Sequence, residues 1–113
     1  MSDRIAEFRA DRDAFGHMLV DQFDGQQPVE IIEREDGLIF SSGECRRYFA
    51  EYPEWDPMEQ EAMRWLVPGR ALDLGCGAGR VALYLQEQGY DVLGIDVSPL
   101  AIEVCRRESI ARR

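Results

Sequence analysis

The sequence contains no lysine and only one histidine, and both scarcities restrict its chemistry. All 13 basic residues are arginine. A phosphate-binding P-loop needs a Gly-Lys-Ser/Thr ending, so the chain has no such loop. The three cysteines, Cys45, Cys76 and Cys105, form no Cys-x-x-Cys pair, and His17 lies far from them in the sequence. We therefore expect neither a metal site nor a disulfide framework, and we interpret the cysteines as reduced thiols of a cytoplasmic protein.

Long apolar runs are also absent. No segment approaches the length needed to span a membrane, and the charged N-terminus lacks the apolar core of a secretion signal. The 22 acidic residues outnumber the basic ones and give a net charge of -9. That charge argues against broad attraction to nucleic acid or to anionic membranes. The sequence thus predicts a protein with no membrane partner.

Residues 1–69 are predicted to form an N-terminal extension made of a helix, a hairpin and a second helix. Apolar residues recur at helical spacing over residues 3–23. The apolar runs at 29–34 and 38–41 flank an Asp-Gly pair, which is typical of hairpin turns. The second helix is predicted to begin at Asp56-Pro57, because Asp is a favourable N-cap and Pro a favourable first helical residue.

Beyond this extension the pattern changes to alternating strands and helices. Strands are predicted at 71–74 and 90–95, with helices at 79–88 and from Ser98-Pro99 onward. Short links in a β-α-β-α order imply parallel strands joined by a right-handed crossover. We predict an α/β fold with a Rossmann-like, doubly wound parallel sheet, of which residues 70–113 form only the first βαβα part.

A glycine-rich turn, in the run ALDLGCGAGR, joins the first of these strands to its helix. Gly75, Gly77 and Gly79 follow the acid Asp73. Three glycines weaken a strand-to-helix turn unless something needs the space that their missing side chains leave. The dinucleotide fingerprint G-x-G-x-x-G would need its third glycine where Arg80 stands. The chain matches acid-x-Gly-x-Gly-x-Gly instead.

A second acid, Asp96, ends the second strand about twenty residues after the turn, where a carboxylate can accept both hydroxyls of a ribose. NAD enzymes use the same device, so Asp96 alone does not identify the ligand. Asp73 separates the candidates, because an acid would repel a pyrophosphate but suits a ligand with positive charges. The alternative for Asp73 is that it caps the turn.

These features resemble the glycine-rich region of class I S-adenosylmethionine-dependent methyltransferases, over the run LDLGCGAGRVALYLQEQGYDVLGIDVSPLAIEVCRR. The resemblance implies that the turn faces the methionine and ribose parts of S-adenosylmethionine, which has no phosphate and carries an amino group and a sulfonium. It also implies that Val97, after the second acid, lies against the adenine ring. The predicted cofactor-binding residues are Asp73, Gly75, Cys76, Gly77, Ala78, Gly79, Asp96 and Val97.

The implied activity is transfer of a methyl group from S-adenosylmethionine to an acceptor. The acidic balance favours a small molecule or a protein side chain over nucleic acid. Acceptor residues usually come from the second half of such a fold, so the catalytic residues, the acceptor and the oligomeric state stay open. We expect the 113-residue chain alone to be a truncated, inactive and partly unfolded or oligomeric form. Two alternatives stay open, a non-catalytic product or binding module and an NAD-dependent oxidoreductase.

Several residues near the motif have plainer interpretations. Cys76 is interpreted as a small buried side chain rather than a nucleophile, because no histidine is at hand. Arg80 is expected to pair with a surface acid. The aromatics Tyr48, Tyr52 and Trp55 are expected to pack the extension onto the sheet, although in the resembling family such residues also close over the cofactor's positive charge.

Overall fold

The computed structural model describes residues 9–112, and of Ala10 only the backbone. Four helices and four strands follow one another within these described residues. They are α1 (Ala14–Phe23), β1 (Val29–Glu33), β2 (Ile39–Glu44), α2 (Pro57–Met63), β3 (Arg70–Leu74), α3 (Arg80–Glu87), β4 (Asp91–Ile95) and α4 (Pro99–Ala111). Short 3-10 turns lie at Ala10–Arg12, Cys45–Phe49 and Tyr52–Glu54.

Helix α1 begins later than the periodicity predicts. The prediction of a helix over residues 3–23 is wrong for its described part before Ala14, and residues 3–8 lie outside the described residues. Asp13 sets the start, because its carboxylate accepts a hydrogen bond of 2.8 Å from the backbone N–H of Gly16. An N-cap residue has non-helical backbone angles, so the helix cannot continue upstream through it.

The predicted hairpin is confirmed. Strands β1 and β2 pair in antiparallel fashion with Ile32 opposite Phe40, and Gly37 in the turn has a φ of +84°. Helix α2 also begins as predicted, because the Asp56 side chain accepts a hydrogen bond of 2.7 Å from the backbone N–H of Met58. These elements precede the α/β part along the chain.

Strands β3 and β4 pair in parallel, with Arg70 opposite Asp91 and Leu74 opposite Ile95. The crossover between them is α3, which packs against both strands. Within residues 9–112 the strands form two separate two-stranded sheets, the hairpin and this parallel pair. The side chains on the face of the pair away from α3 are exposed, namely Leu72, Leu74, Leu93 and Ile95.

The extension and the α/β part share one core. Helix α1 packs on α4, and the fully buried Leu19 and Val104 come from these two helices. The core also holds Met18, Cys45, Ala78 and Ala101. The division of the chain at residue 69 stays a prediction, but the parts on either side of it are packed together.

Tyr52 and Trp55 pack the extension onto the α/β part as expected, whereas Tyr48 packs within the extension. The Tyr52 ring stacks on Tyr84 of α3 with centroids 4.7 Å apart, and Trp55 meets the same tyrosine edge-on at 5.0 Å. Tyr48 meets Phe15 of α1 edge-on at 5.2 Å. Trp55 is 5% exposed, so its main role is to join the extension to α3. Among residues 9–112, no helix has the length and apolar character needed to cross a membrane.

Candidate functional site

The carboxyl ends of β3 and β4 meet at one edge of the parallel sheet, and the glycine-rich turn leaves from that edge. The backbone N–H groups of Gly75 and Cys76 both donate to the carbonyl oxygen of Ile95, at 2.8 and 2.9 Å. The turn is therefore tied to the end of β4. Asp96, the residue that follows β4, lies beside the turn.

All three glycines of the turn have left-handed backbone angles, with φ of +72° at Gly75, +55° at Gly77 and +92° at Gly79. Residues with side chains rarely adopt such angles. Their surroundings differ. Among the described residues, no atom lies within 4 Å of the position that a Cβ would take on Gly75, whereas a Cβ on Gly77 would have Phe15 Cζ at 4.0 Å.

Gly79 is enclosed by protein. A Cβ at this position would lie 2.5 Å from Cys105 Sγ and 3.2 Å from the side chain of Leu83. The third glycine of the motif thus allows the start of α3 to approach α4 closely. A direct cofactor contact for Gly79 stays a prediction, and the structure gives the residue a packing role.

Asp96 receives two backbone hydrogen bonds from opposite directions. Its Oδ2 accepts from the N–H of Gly77 and its Oδ1 from the N–H of Ser98, both at 2.9 Å. These bonds fix the carboxylate at the edge of the sheet. Each carboxylate oxygen has a second lone pair, so Asp96 can still accept hydrogen bonds from a ligand.

Four backbone N–H groups of the turn are not available to a phosphate. Those of Gly75, Cys76, Gly77 and Gly79 are all bonded to acceptors within the protein. A phosphate-binding turn instead directs free N–H groups at its ligand. The bonding pattern favours a ligand without a phosphate.

Asp73 lies half-buried on the side of the sheet that α3 covers. Burial raises the pKa of its carboxyl group, while a hydrogen bond from the backbone of Ala82 and the charge of Arg80 act in the opposite direction. Ala82 is the third residue of α3, where backbone N–H groups lack partners within the helix. The alternative interpretation, that Asp73 caps the turn, is compatible with this position and stays a prediction. The contact of Asp73 with the cofactor also stays a prediction.

Cys76 and Ala78 turn their side chains into the protein, with 7% and 4% of their surface exposed. Burial raises the pKa of the Cys76 thiol to about 12, so the thiol stays protonated near neutral pH. A protonated thiol is a poor nucleophile. These two residues therefore present only their backbone to the open side of the turn.

The two remaining residues near the motif lie at its margins. Val97 is 75% exposed at the sheet edge, so its side chain is accessible to a ligand. Arg80 pairs with Glu59 of α2 at 2.5 Å and lies over the ring of Trp55, 4.9 Å from its centroid. The expected pairing of Arg80 with an acid is confirmed.

Sequence reasoning missed Asp13, which is fully buried. Besides capping α1, its carboxylate accepts hydrogen bonds from the Ser98 hydroxyl at 2.6 Å and from the backbone N–H of Leu100 at 3.2 Å. The sequence carried one local signal for Asp13, because an Asp directly before a helix is a favourable N-cap residue. Its partners lie too far along the chain for any local pattern to reveal them.

Comparison with known proteins bears on the same part of the chain. Residues 45–109, more than half of the chain, match the family described as tellurite resistance protein TehB. The chain belongs to this family. The match includes the turn and Asp96, so the class I S-adenosylmethionine-dependent methyltransferase assignment is confirmed for this TehB-family chain.

Two relatives show how broadly the matched region is shared. A ribosomal RNA small subunit methyltransferase C from Alcanivorax borkumensis is 44% identical over 45 residues, which cover 40% of this chain and 14% of the relative. A 2-heptyl-1-hydroxyquinolin-4(1H)-one methyltransferase from Mycobacteroides abscessus is 34% identical over 70 residues, which cover 57% and 31%. The chain thus spans less than a third of either relative.

A solved structure extends the comparison to almost the whole TehB-family chain. The S-adenosylmethionine-dependent methyltransferase from Bacteroides fragilis, in complex with S-adenosylhomocysteine, superimposes with a TM-score of 0.79 and 25% identity. The match covers 90% of this chain and 42% of that one. The predicted Rossmann-like fold is therefore confirmed, and S-adenosylmethionine is supported as the cofactor of the family.

Proposed function

We propose that the complete natural protein transfers a methyl group from S-adenosylmethionine to a small-molecule or protein acceptor. The observation that carries this proposal is the Asp96 carboxylate, which two backbone hydrogen bonds hold beside the turn. The solved relative with S-adenosylhomocysteine supports the same ligand class.

The residues at the sheet edge fit such a cofactor. Its ribose hydroxyls need an acceptor, which Asp96 supplies with its remaining lone pairs. Its approach to the backbone needs room, which the open side of Gly75 supplies. It has no phosphate, in agreement with a turn in which the N–H groups of residues 75–77 and 79 are already bonded. We assign Asp96 to the ribose and Val97 to the adenine. We assign the backbone of residues 75–79 to the methionine and ribose parts of the cofactor.

Electrostatics favours a cation at this edge. Asp73 and Asp96 lie close enough for the charge of Asp96 to raise the pKa of Asp73, with burial contributing more. A positively charged ligand would relieve that repulsion. S-adenosylmethionine supplies an activated methyl group when bound, so the protein's contribution is to hold the donor and exclude water. The protonated Cys76 thiol takes no part as a nucleophile in this proposal.

The acceptor is assigned by charge rather than by resemblance. The two relatives are named for an RNA and for a small molecule, so the region they share with this chain carries no information about the acceptor. A net charge of -9 disfavours RNA and supports a small molecule or a protein. The described cysteines are unpaired, which supports a cytoplasmic location.

Calorimetric titration of the complete natural protein with S-adenosylmethionine, S-adenosylhomocysteine and NAD tests the ligand. We expect binding of the first two and no comparable affinity for NAD. A protein that binds only NAD would be an oxidoreductase candidate and would overturn the proposal. A second assay with radiolabelled methyl donor and fractionated small molecules and proteins tests the reaction. Binding of S-adenosylhomocysteine without any labelled product would favour the binding-module alternative.

A further inference from the structure

We propose that Asp13 is a positioning residue for the cofactor-binding carboxylate Asp96 and that it acts through Ser98. This inference rests on the proposed function, because it assumes that Asp96 binds the cofactor. It assigns a role in cofactor binding to a residue of the N-terminal extension, which lies outside the glycine-rich motif.

The Asp13 carboxylate is a buried junction between two helices. Its Oδ1 accepts from the N–H of Gly16 in α1 at 2.8 Å, and its Oδ2 accepts from the Ser98 hydroxyl and the N–H of Leu100 at the start of α4. A buried carboxylate is tolerated only where such donors compensate its lost hydration. Asp13 thus caps α1 and holds the start of α4.

Ser98 joins this junction to the cofactor site. Its hydroxyl donates to Asp13 at 2.6 Å and accepts from the N–H of Ala101 at 3.0 Å. Its own backbone N–H donates to Asp96 Oδ1 at 2.9 Å. Ser98 is 2% exposed, so a shift of its hydroxyl would move the backbone that orients Asp96. Only one residue, Ser98, thus separates the two carboxylates.

The network continues into the turn, where Asp96 Oδ2 accepts from the N–H of Gly77 at 2.9 Å. A second contact joins α1 to the turn, because a Cβ on Gly77 would lie 4.0 Å from Phe15 Cζ of α1. Among the described residues, no buried polar side-chain atom lacks a hydrogen-bond partner. A fully satisfied buried network holds one geometry, because every alternative leaves a buried group unpaired.

Two consequences follow from this arrangement. The packing of α1 on α4 and the binding of the cofactor stabilise the same orientation of Asp96. By linkage, a ligand that binds this orientation must also stabilise the packing of α1, and loss of that packing must weaken the ligand. The N-terminal extension therefore contributes to cofactor affinity through Asp13, which does not itself contact the cofactor.

The test is titration of S-adenosylhomocysteine into the complete natural protein and its variants. Asp13→Ala and Ser98→Ala should each weaken affinity about tenfold, and the double variant should lose little more than either single one, because both changes break one network. Ser98→Thr keeps the hydroxyl and should restore most of the affinity. Asp24→Ala is the matched control, because Asp24 flanks α1 at its other end and forms a 3.0 Å ion pair with Arg107 of α4, outside the network.

General destabilisation is controlled separately. Leu85→Ala removes a buried α3 side chain outside the packing of α1 on α4 and should lower stability while leaving affinity unchanged well below the melting temperature. Hydrogen exchange supplies a readout besides affinity. S-adenosylhomocysteine should protect the amides of α1 in the wild type, and this protection should be lost in Ser98→Ala while that of residues 75–79 persists.

The outcomes separate this inference from the proposed function. A wild-type protein that does not bind S-adenosylhomocysteine would overturn both. A wild type that binds, together with Ser98→Ala and Asp13→Ala variants of unchanged affinity, would overturn the positioning role alone. Equal losses in Ser98→Ala and Leu85→Ala would also overturn it, because they would show a general effect of stability.

Discussion

At one end of the glycine-rich turn, Gly75 has a φ of +72° and open space where a side chain would lie. At the other end, Gly79 has a φ of +92° and Cys105 Sγ at 2.5 Å from the same position. Both ends need glycine for their backbone angles, but only the second also needs it for packing. The spacing of the motif therefore does not tell which glycine faces a ligand and which faces the protein core.

Gly79→Ala should have the largest effect on folding. The added methyl group meets Cys105, and the left-handed angle is unfavourable for alanine, so we expect a loss of about 3 to 5 kcal/mol in the free energy of unfolding. Urea denaturation of the complete natural protein measures this loss. Cys105→Ala in the same background should restore part of it by removing the sulfur atom. No recovery in the double variant would contradict the packing explanation.

Gly77→Val should abolish S-adenosylhomocysteine binding while leaving most of the fold intact. A branched residue is strained at a φ of +55° and fills space beside Phe15, which costs about 2 to 3 kcal/mol of stability. Circular dichroism and calorimetric titration of the same sample measure both quantities. Normal binding with a normal spectrum would show that this part of the turn does not approach the ligand.

Asp96→Ala tests whether the carboxylate beside the turn binds the ribose of the ligand. It should weaken S-adenosylhomocysteine binding by about 1 to 3 kcal/mol, because the ribose hydroxyls lose a charged acceptor. Asp91→Ala is the matched control, since it removes an acid at the opposite end of β4. Unchanged affinity in Asp96→Ala would show that the ribose is placed wrongly.

Gly75→Ala should cost about 1 to 2 kcal/mol in the free energy of unfolding, because only the backbone angle opposes the methyl group. Its stability loss should therefore be smaller than that of Gly79→Ala. The ratio of lost ligand affinity to lost stability should be larger for Gly75→Ala than for Gly79→Ala. Denaturation and titration of both variants give this ratio. Equal ratios would remove the distinction between the two ends.

The smallest effect is expected at Cys76, whose side chain points away from the open end. A pKa of about 12 means that the thiol stays protonated as the pH rises from 7 to 10. Alkylation by iodoacetamide should therefore be slow across that range in the folded protein and fast after denaturation. Mass spectrometry of the alkylated peptide measures the rate. Rapid modification of Cys76 at pH 8 would contradict this environment.

The α/β part was predictable because its signals are local. The strand predicted at 71–74 is β3 at Arg70–Leu74, and the helix predicted at 79–88 is α3 at Arg80–Glu87. Glycines and the Ser-Pro cap set these boundaries within the segments themselves. The position of Asp96 beside the turn followed from the parallel pairing, since neighbouring parallel strands end at the same edge.

What the sequence did not reveal depends on contacts between distant residues. Periodicity extended α1 upstream of Ala14 because it cannot show that Asp13 is held by α4. The three glycines looked equivalent, because the approach of Cys105 to Gly79 depends on how α4 packs against α3. The occupied N–H groups of Gly75, Cys76 and Gly77 were likewise hidden, since their acceptors Ile95 and Asp96 lie at the end of the other strand.

The hydrogen bond between Asp13 and Ser98 joins residues 85 positions apart, and this separation has a consequence for the order of folding. The strands and helices of the α/β part have short connections and can form soon after synthesis. The first helix must wait for its partner, because closing a long loop is slow relative to forming local contacts. Among the four described helices, we expect α1 to dock last, even though it is synthesised before the other three. During translation, its apolar face would stay without its partner helix until α4 has emerged.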